Sequence, residues 1–366
     1  MARIVFVTWP ALGHLNPTLK LARKLQRSGH RIYYMGLSDL KSYVLSQGFE
    51  FVTILDEIRN IDRLIRGTSF KWSETVGSSF VQALCRIQPD LLVVDELLHD
   101  LTKIARKNGV PSVMVAPSLG QTRLRLSDVE PSDFAFELPV LVLCPAEFDF
   151  PNLVGQRGRY YVEASIDLER CENRQFAWDK LDTSKPLIYC SLGSHSNQYQ
   201  QGRKLLLSII ETIGQRPELQ LVLATGTHFA VPSGMRVPEN VLIAEWVPQI
   251  ALLKKASITI THGGLGTIKE CIYSGVPMIV FPMMWDQIEN AMRVVYHGLG
   301  LRGDSVLATS QQVNSFIDLL RRDASLSARV ATMSKVFREA EDSGKGVQMI
   351  EEALERYSKP GRALVF

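Results

Sequence analysis

The segment from Trp246 to Gln287 gathers the residues best able to grip a polar ligand: Trp-Val-Pro-Gln at 246–249, Thr-His-Gly-Gly-Leu-Gly-Thr-Ile-Lys-Glu at 261–270, Gly-Val-Pro at 275–277 and Asp-Gln at 286–287. The apolar run Ile258–Thr261 reads as a buried strand that empties into His262-Gly263-Gly264-Leu265-Gly266-Thr267, with a helix starting near Leu265 or Gly266. Glycines carry no Cβ, so backbone N–H groups there can approach a ligand closely, and a helix start adds unpaired donors and the positive end of a dipole. Such a turn suits a diphosphate. His262 can donate to the same phosphates, and Thr267 adds a hydroxyl in the first helical turn. Glu270, about one turn farther along, can accept two hydrogen bonds from a vicinal diol such as the ribose 2′- and 3′-hydroxyls. Trp246 offers a flat apolar face to a nucleobase. Asp286 and Gln287 follow a strand and the loop Pro282–Trp285, where their acceptors and donors can read sugar hydroxyls. Taken singly, each has a plainer role: a tight turn, a core Trp, a structural His, a solvated helix Glu. Their occurrence together within about forty residues of one strand–helix–strand frame, in the order a nucleotide sugar requires, carries the reading.

Short apolar runs alternate with helical-period segments in both halves of the chain, the rhythm of parallel sheets covered by helices. Strands are expected at Ile4–Thr8, Arg31–Met35, Phe51–Ile54, Leu91–Val94, Ser112–Val115 and Val140–Leu143, then at Leu187–Ser191, Leu219–Ala224, Val241–Ala244, Ile258–Thr261 and Met278–Phe281. Their near-continuous apolar character is that of strands buried on both faces. Three apolar stripes at helical spacing read as core faces: Leu205, Leu206, Ile209, Ile210 and Ile213; Val313, Phe316, Ile317 and Leu320; Val330, Met333, Val336, Phe337 and Ala340. A polar, charge-rich stretch between Val162 and Pro186 reads as a linker. The expected organisation is therefore an α/β protein of two Rossmann-like domains facing a cleft: 1–165 binding the acceptor, a linker at 166–185, 186–346 binding the nucleotide sugar, and a C-terminal helix and tail at 347–366 returning toward the first domain.

The first strand ends in Trp9-Pro10-Ala11-Leu12-Gly13-His14-Leu15-Asn16-Pro17, which puts His14 in a loop at the carboxyl edge of an open sheet, where ligands collect in such folds. An imidazole with an ordinary pKa near ~6.5 can take a proton at neutral pH. Asp95 ends the strand Leu91–Val94 on the same edge and could hold the resulting imidazolium, although an Asp there could equally cap the next helix. Glu96 and Asp100 are weaker alternatives.

The order and spacing of Trp-Val-Pro-Gln, His-Gly-Gly-x-Gly-Thr, Glu270, Gly-Val-Pro and Asp-Gln resemble the donor signature of the UDP-glycosyltransferase family, and the resemblance runs along almost the whole chain. It implies the two-domain GT-B fold and a glycosyltransferase that moves a sugar from a nucleotide diphosphate donor to a hydroxyl of a small-molecule or lipid acceptor. Under it Trp246, followed by Val247, stacks on the base, Gln249 assists at the base and ribose, and His262 with the turn Gly264, Gly266 and Thr267 holds the diphosphate. Glu270 takes the ribose hydroxyls, and Asp286 with Gln287 holds the sugar. Ser191-Leu192-Gly193-Ser194 resembles the family loop whose last Ser faces the donor phosphates, which adds Ser194. Gly13-His14-Leu15-Asn16-Pro17 matches the segment holding the family's general base, so His14 deprotonates the acceptor and attack on the anomeric carbon inverts it. The chain departs from the family at Val162-Glu163-Ala164, where a Val-Gly-Pro step is common, and in the compact segments Asp56–Pro89 and Ala116–Pro139.

Chemistry of other kinds is disfavoured. With 41 basic and 38 acidic side chains the formal net charge is only +3, so there is no strong pull toward nucleic acid or anionic lipid. There is no Asp-x-Asp motif or carboxylate cluster for a divalent ion, so metal independence and no resident cofactor are expected, with the diphosphate charge met by helix dipole, backbone N–H groups and His262. Cys85, Cys144, Cys171, Cys190 and Cys271 lack metal spacing and read as reduced thiols. No signal-like segment and no run of ~20 apolar residues is present, which points to a cytoplasmic protein with at most peripheral membrane contact. Glu270 favours a ribose diol, hence UDP over dTDP. Three rivals remain: a sugar-nucleotide epimerase, a nucleotide-sugar or aglycone-binding helper, and a dinucleotide oxidoreductase, which Lys269 and Glu270 oppose by standing where a third glycine is needed. The sequence leaves the acceptor and the oligomeric state open, and Arg123 and Arg125 carry no assignment.

Overall fold

The computed structural model describes residues 1–56, 71–119, 138–172, 175–193, 200–226 and 229–357. The chain divides into two compact units, one of 1–146, 151–171 and 340–366, the other of 147–150 and 172–339. Beside the boundaries expected at Ser165, Lys185 and Gly346, this division ends the second unit at Glu339 and gives it the short segment Glu147–Phe150.

In the first unit, β1 (Arg3–Val7), β2 (Arg31–Leu37), β3 (Glu50–Leu55), β4 (Leu91–Asp95), β5 (Ser112–Ala116), β6 (Val140–Val142) and β7 (Arg159–Tyr161) form one parallel sheet in the order β3-β2-β1-β4-β5-β6-β7. Helices α1 (Leu12–Arg27), α2 (Lys41–Ser46), α3 (Trp72–Ile87) and α4 (Asp100–Lys107) connect these strands, and the helix Lys345–Tyr357 closes the unit. Successive side chains of a strand point to opposite faces. Thus Ile4 and Phe6 pack with Leu15, Leu19 and Leu25 of α1 and with Ile350, Ala353 and Leu354 of the closing helix. Val5 and Val7 pack instead with Val76 and Phe80 of α3 and Leu101 and Ala105 of α4. Leu91 and Val93 divide from Leu92 and Val94 in the same way. Both faces being covered, no position in β1 or β4 before Asp95 has to be polar.

The second unit repeats the plan with β8 (Leu187–Ser191), β9 (Gln220–Ala224), β10 (Val241–Ala244), β11 (Ala256–Thr261), β12 (Met278–Val280) and β13 (Gly300–Arg302), all parallel, in the order β10-β9-β8-β11-β12-β13. Its helices are α5 (Gln200–Gly214), α6 (Gln249–Leu253), α7 (Leu265–Ser274), α8 (Gln287–Tyr296), α9 (Ser310–Arg322) and α10 (Ala324–Ser343). The five apolar residues of the α5 stripe are all buried, as are Val313, Ile317 and Leu320 of α9 and Val330 and Phe337 of α10. In each sheet the chain builds outward from its first strand on one side, then crosses to the other side. The order reverses between β1 and β4 and again between β8 and β11, and in open α/β sheets ligands gather at the carboxyl ends of the strands flanking such a reversal.

The strands foreseen from apolar runs are present to within two residues at their ends. The pattern did not disclose β7 or β13, three-residue edge strands too short to show a period, one of them the half-buried Arg159-Tyr160-Tyr161. The departure at Val162-Glu163-Ala164 has a local use: buried Glu163 accepts, through Oε2, the N–H of Gly346 at 2.7 Å, placing a carboxylate at the start of the closing helix. Cys144, Cys190 and Cys271 are buried, and burial pushes the Cys271 thiol up to about 12. No described helix is long and apolar enough to cross a membrane.

The two-faced packing of β1 is open to test at Phe6, which is fully buried and stacks on Tyr34 at 5.2 Å between ring centroids. Phe6→Ala is expected to lower unfolding free energy by about 3–5 kcal/mol, read from the denaturant midpoint at unchanged slope. A loss below about 1 kcal/mol would mean that this face is not packed as described.

Candidate functional site

In the first unit the site is built by two strand exits. After β1 the chain turns through Trp9-Pro10-Ala11, and the N–H groups of His14 and Leu15 both reach the Ala11 carbonyl, at 3.0 and 3.1 Å. His14 therefore stands in the first turn of α1 and not in the loop that the sequence pattern implied, because the helix begins at Leu12, well before the apolar stripe that announces it. Parallel pairing of β1 with β4 aligns Val7 with Val94, so Asp95 emerges beside that turn.

The Asp95 carboxylate is 0% exposed and is met on all sides by donors: Leu97 N–H to Oδ1 at 3.0 Å, Trp9 N–H to Oδ2 at 3.3 Å and His14 Nδ1 to Oδ2 at 2.8 Å. A carboxylate only accepts, so Nδ1 carries the proton and the neutral ring keeps its lone pair at Nε2. The His14 side chain is 20% exposed. The two readings of Asp95, helix cap and imidazole partner, hold together, since Oδ1 caps the short turn Glu96–Leu98 while Oδ2 orients the ring. The weaker alternatives are engaged elsewhere. Glu96 pairs with Arg159 at 2.8 Å, burial pushing its carboxyl up and the guanidinium opposing that, and Asp100 accepts the Ser73 N–H at 2.7 Å.

In the second unit, β11 pairs with β8 so that Thr261 lies beside Ser191, and the two strands release their loops together. The His262 ring fills the space between those loops. A Cβ placed on Gly193 would lie 2.6 Å from His262 Nε2, and one on Gly264 would lie 2.7 Å from the same atom. Gly263 (φ +93°) would collide with Val280 Cγ1 at 2.8 Å, whereas a Cβ on Gly266 would meet nothing within 4 Å. Glycine is thus sterically required at 193, 263 and 264, while Gly266 leaves open space over the first turn of α7. That turn begins at Leu265, with Gly264 as its extended N-cap, and carries Thr267.

Gln249 opens α6 after the loop Trp246-Val247-Pro248, in which Val247 is half-buried and Trp246 exposed. Its Nε2 donates to Glu270 Oε2 at 2.5 Å and lies 3.5 Å from Thr267 Oγ1, while its Oε1 accepts from Tyr189 Oη at 2.7 Å. Glu270 is buried, not solvated as an isolated helix Glu would be. Tyr189 is buried too, and burial pushes its phenol above the ordinary range, which keeps it a donor. Asp286 immediately precedes α8 without a side-chain capping bond to it, and buried Gln287 accepts the N–H groups of Met283 and Met284 at 2.9 and 3.1 Å, tying down the loop before it. In that loop Trp285 is 49% exposed and takes φ +52°, a conformation a bulky side chain seldom adopts.

The structure thus gathers His14 with Asp95 in one unit, and Gln249, Thr267 and Glu270 with His262, Gly264, Gly266, Asp286 and Gln287 along the β11 and β12 exits of the other. Ser194 lies outside the described residues, as do Arg123 and Arg125. Sequence reasoning passed over Tyr189, Gly193 as a steric requirement, and Asn290. Buried Asn290 donates from Nδ2 to both the Gly263 carbonyl at 3.1 Å and Asp286 Oδ2 at 2.9 Å. Its signal was available, since Asn290 stands four residues after Asp286 on one helix face.

Residues 220–343 match the family described as erythromycin biosynthesis protein CIII-like, C-terminal domain. The chain is 26% identical to the NDP-glycosyltransferase YjiC of Bacillus subtilis (strain 168) over 98% of this chain and 98% of that one. It is 25% identical to the oleandomycin glycosyltransferase of Streptomyces antibioticus over 88% of this chain and 82% of the relative. Among solved structures, the glycotransferase of kitacinnamycin superposes with a TM-score of 0.81 at 25% identity, covering 96% of this chain and 99% of the other.

Gly193→Ala (φ +80° at present) is expected to displace the His262 ring and to weaken binding of UDP, measured by calorimetry, at least about tenfold. Unaltered affinity would mean that the ring's seat between the two glycines has no bearing on the ligand.

Proposed function

We propose that the chain, a glycosyltransferase like the relatives it matches along most of its length, is a member of the UDP-glycosyltransferase family that transfers a sugar from a nucleotide diphosphate donor to a hydroxyl of a natural-product-like acceptor, with inversion, using His14 as general base. The observation that carries the proposal is the 2.8 Å contact between His14 Nδ1 and a fully buried Asp95. It sets the tautomer that leaves Nε2 as a base.

In the proposed step Nε2 takes the acceptor hydroxyl proton as the acceptor oxygen forms a bond to the anomeric carbon from the face opposite the leaving group. The bond from that carbon to the diphosphate oxygen breaks, and its electron pair departs with the nucleoside diphosphate. Asp95 offsets the charge of the imidazolium, as a buried carboxylate does beside a catalytic histidine. The charge on the departing diphosphate meets His262, the backbone N–H groups after Gly264 and the positive end of α7.

Donor residues are assigned on the same reading: Trp246, next to Val247, to the base, Gln249 and Glu270 to the ribose, His262, Gly264, Gly266, Thr267 and Ser194 to the phosphates, and Asp286 with Gln287 to the sugar. The buried Glu270 carboxylate supports a ribose over a deoxyribose, hence UDP over dTDP. Transfer without a metal ion is part of the same proposal, the diphosphate charge being met by the groups just named. Action in the cytoplasm belongs to the same proposal.

His14→Ala is expected to reduce turnover by about 10²–10⁴-fold while UDP affinity stays near that of the unaltered enzyme. Turnover that survives the substitution would remove His14 from the mechanism. Asp95→Asn should lower kcat with little change in donor KM, because the amide can present its N–H to Nδ1 and stabilise the wrong tautomer. Turnover after exhaustive chelation should match the untreated rate, and a loss restored by Mg²⁺ would overturn metal independence. In competition UDP-glucose should be used in preference to dTDP-glucose, and the reverse order would assign Glu270 to a single hydroxyl.

A further inference from the structure

Beneath the donor site of the second unit lies a polar chain with almost no access to water. Arg293 and Asn290 are both 0% exposed on α8, and the Asp149 side chain, from the segment Glu147–Phe150 of the same unit, is 2% exposed. Arg293 Nε donates to Asp149 Oδ1 at 2.8 Å, its guanidinium carbon lies 4.9 Å from the centre of the Phe150 ring, and one terminal nitrogen reaches Asn290 Oδ1 at 3.5 Å. Asn290 Nδ2 then donates to the Gly263 carbonyl at 3.1 Å and to Asp286 Oδ2 at 2.9 Å. The same segment holds the far end of α8: Phe148 is stacked on His297 at 5.7 Å, its carbonyl accepts from His297 Nε2 at 3.0 Å, and the Phe150 ring meets Tyr296 edge-on at 5.5 Å.

A buried ion pair is a poor way to gain stability, because desolvation consumes most of the attraction; such pairs are better explained by what they hold in place. This one ends at Asn290, whose two donated bonds meet the two halves of the donor site, the turn assigned to the diphosphate and the carboxylate assigned to the sugar. Spacing alone brings them together. Asp286, Asn290 and Arg293 fall at i, i+4 and i+7, one face of a helix.

We infer that Asn290, oriented by Arg293 against the strap Glu147–Phe150, is a positioning residue that locks the sugar-reading carboxylate of Asp286 to the phosphate turn, so that sugar selection and diphosphate binding are set by one buried amide. This rests on the donor-site reading above. The amide fixes which oxygen of Asp286 points to the sugar, since Oδ2 is engaged with Nδ2. Loosening it releases the Gly263 carbonyl and Asp286 at once, which neither group's own removal would do.

The test measures Kd for UDP and for UDP-glucose by calorimetry on the unaltered enzyme, Asp286→Ala, Asn290→Ala and the double variant. Asn290→Ala is expected to weaken UDP binding and also to lower the ratio of the UDP Kd to the UDP-glucose Kd by about tenfold, the size of one hydrogen bond to a charged group. Asp286→Ala should change the ratio more than it changes UDP affinity, and the double variant should show the ratio of Asp286→Ala alone, since coupled groups are not additive. Should Asn290→Ala fail to fold, Arg293→Lys, which keeps a charge for Asp149 but gives up the fork that also reaches Asn290, is expected to move the ratio in the same direction. A ratio unchanged in Asn290→Ala, or additive effects in the double variant, overturns the positioning role while leaving the donor reading intact. Failure of the unaltered enzyme to bind UDP or UDP-glucose, or an Asp286→Ala ratio equal to the unaltered one, overturns the donor reading itself.

Discussion

A carboxylate withdrawn from water must find its donors within its own chain, and the arrangement around Asp95 is organised by that demand. Two backbone N–H groups and one imidazole N–H supply it. None of the three is free to be elsewhere: Leu97 stands two residues after Asp95, while Trp9 and His14 leave the neighbouring strand at a height fixed by the pairing of Val7 with Val94. Slipping β4 by one residue would turn Asp95 to the opposite face of the sheet and leave it among the apolar side chains of α3 and α4. The apolar residues of β1 and β4 therefore act on the chemistry through register.

The second unit solves a related problem with sterics in place of charge. Its reversal in strand order again brings two loops to one edge, but the group between them is an aromatic ring seated where two Cβ atoms are missing. Around it, polar side chains are consumed in pairs: Tyr189 holds Gln249, Gln249 holds Glu270, Gln287 holds the loop backbone and Asn290 holds Asp286. Gln249, Glu270 and Asp286 are thus oriented beforehand by neighbouring side chains, which reduces the ordering that binding would otherwise require.

Much of this was legible in the residues. Apolar runs placed eleven of the strands, because a doubly covered parallel strand has no polar position to confuse the pattern, and the stripes of α5, α9 and α10 were equally plain. Placing His14 and Asp95 on one sheet edge needed only the ends of two strands; their hydrogen bond needed the register. Other features were hidden for physical reasons. The helix start before His14 has no side-chain cap to announce it, since Ala11 is its N-cap. The need for glycine at 193 comes from a ring some seventy residues away in the chain, a contact no local window contains. The burial of Glu270, assigned to the ribose from the motif, was not legible, because its helix period says nothing about Gln249, which meets it from another element. Arg293 gave no sign in the sequence, where a charged residue on a helix is ordinarily solvated, and its burial is what distinguishes it.

The assignment of Glu147–Phe150 to the second unit bears on how such proteins can exchange parts in evolution or by recombination. A second unit cut out as the continuous stretch 172–339 would arrive without Asp149 and Phe150, and buried Arg293 would lose its ion pair and the ring beside it. A hybrid joined at one point would meet the same defect unless both parents share that tetrapeptide. Heritable shuffling of second units is thereby restricted to parents that agree at a short segment lying before the junction.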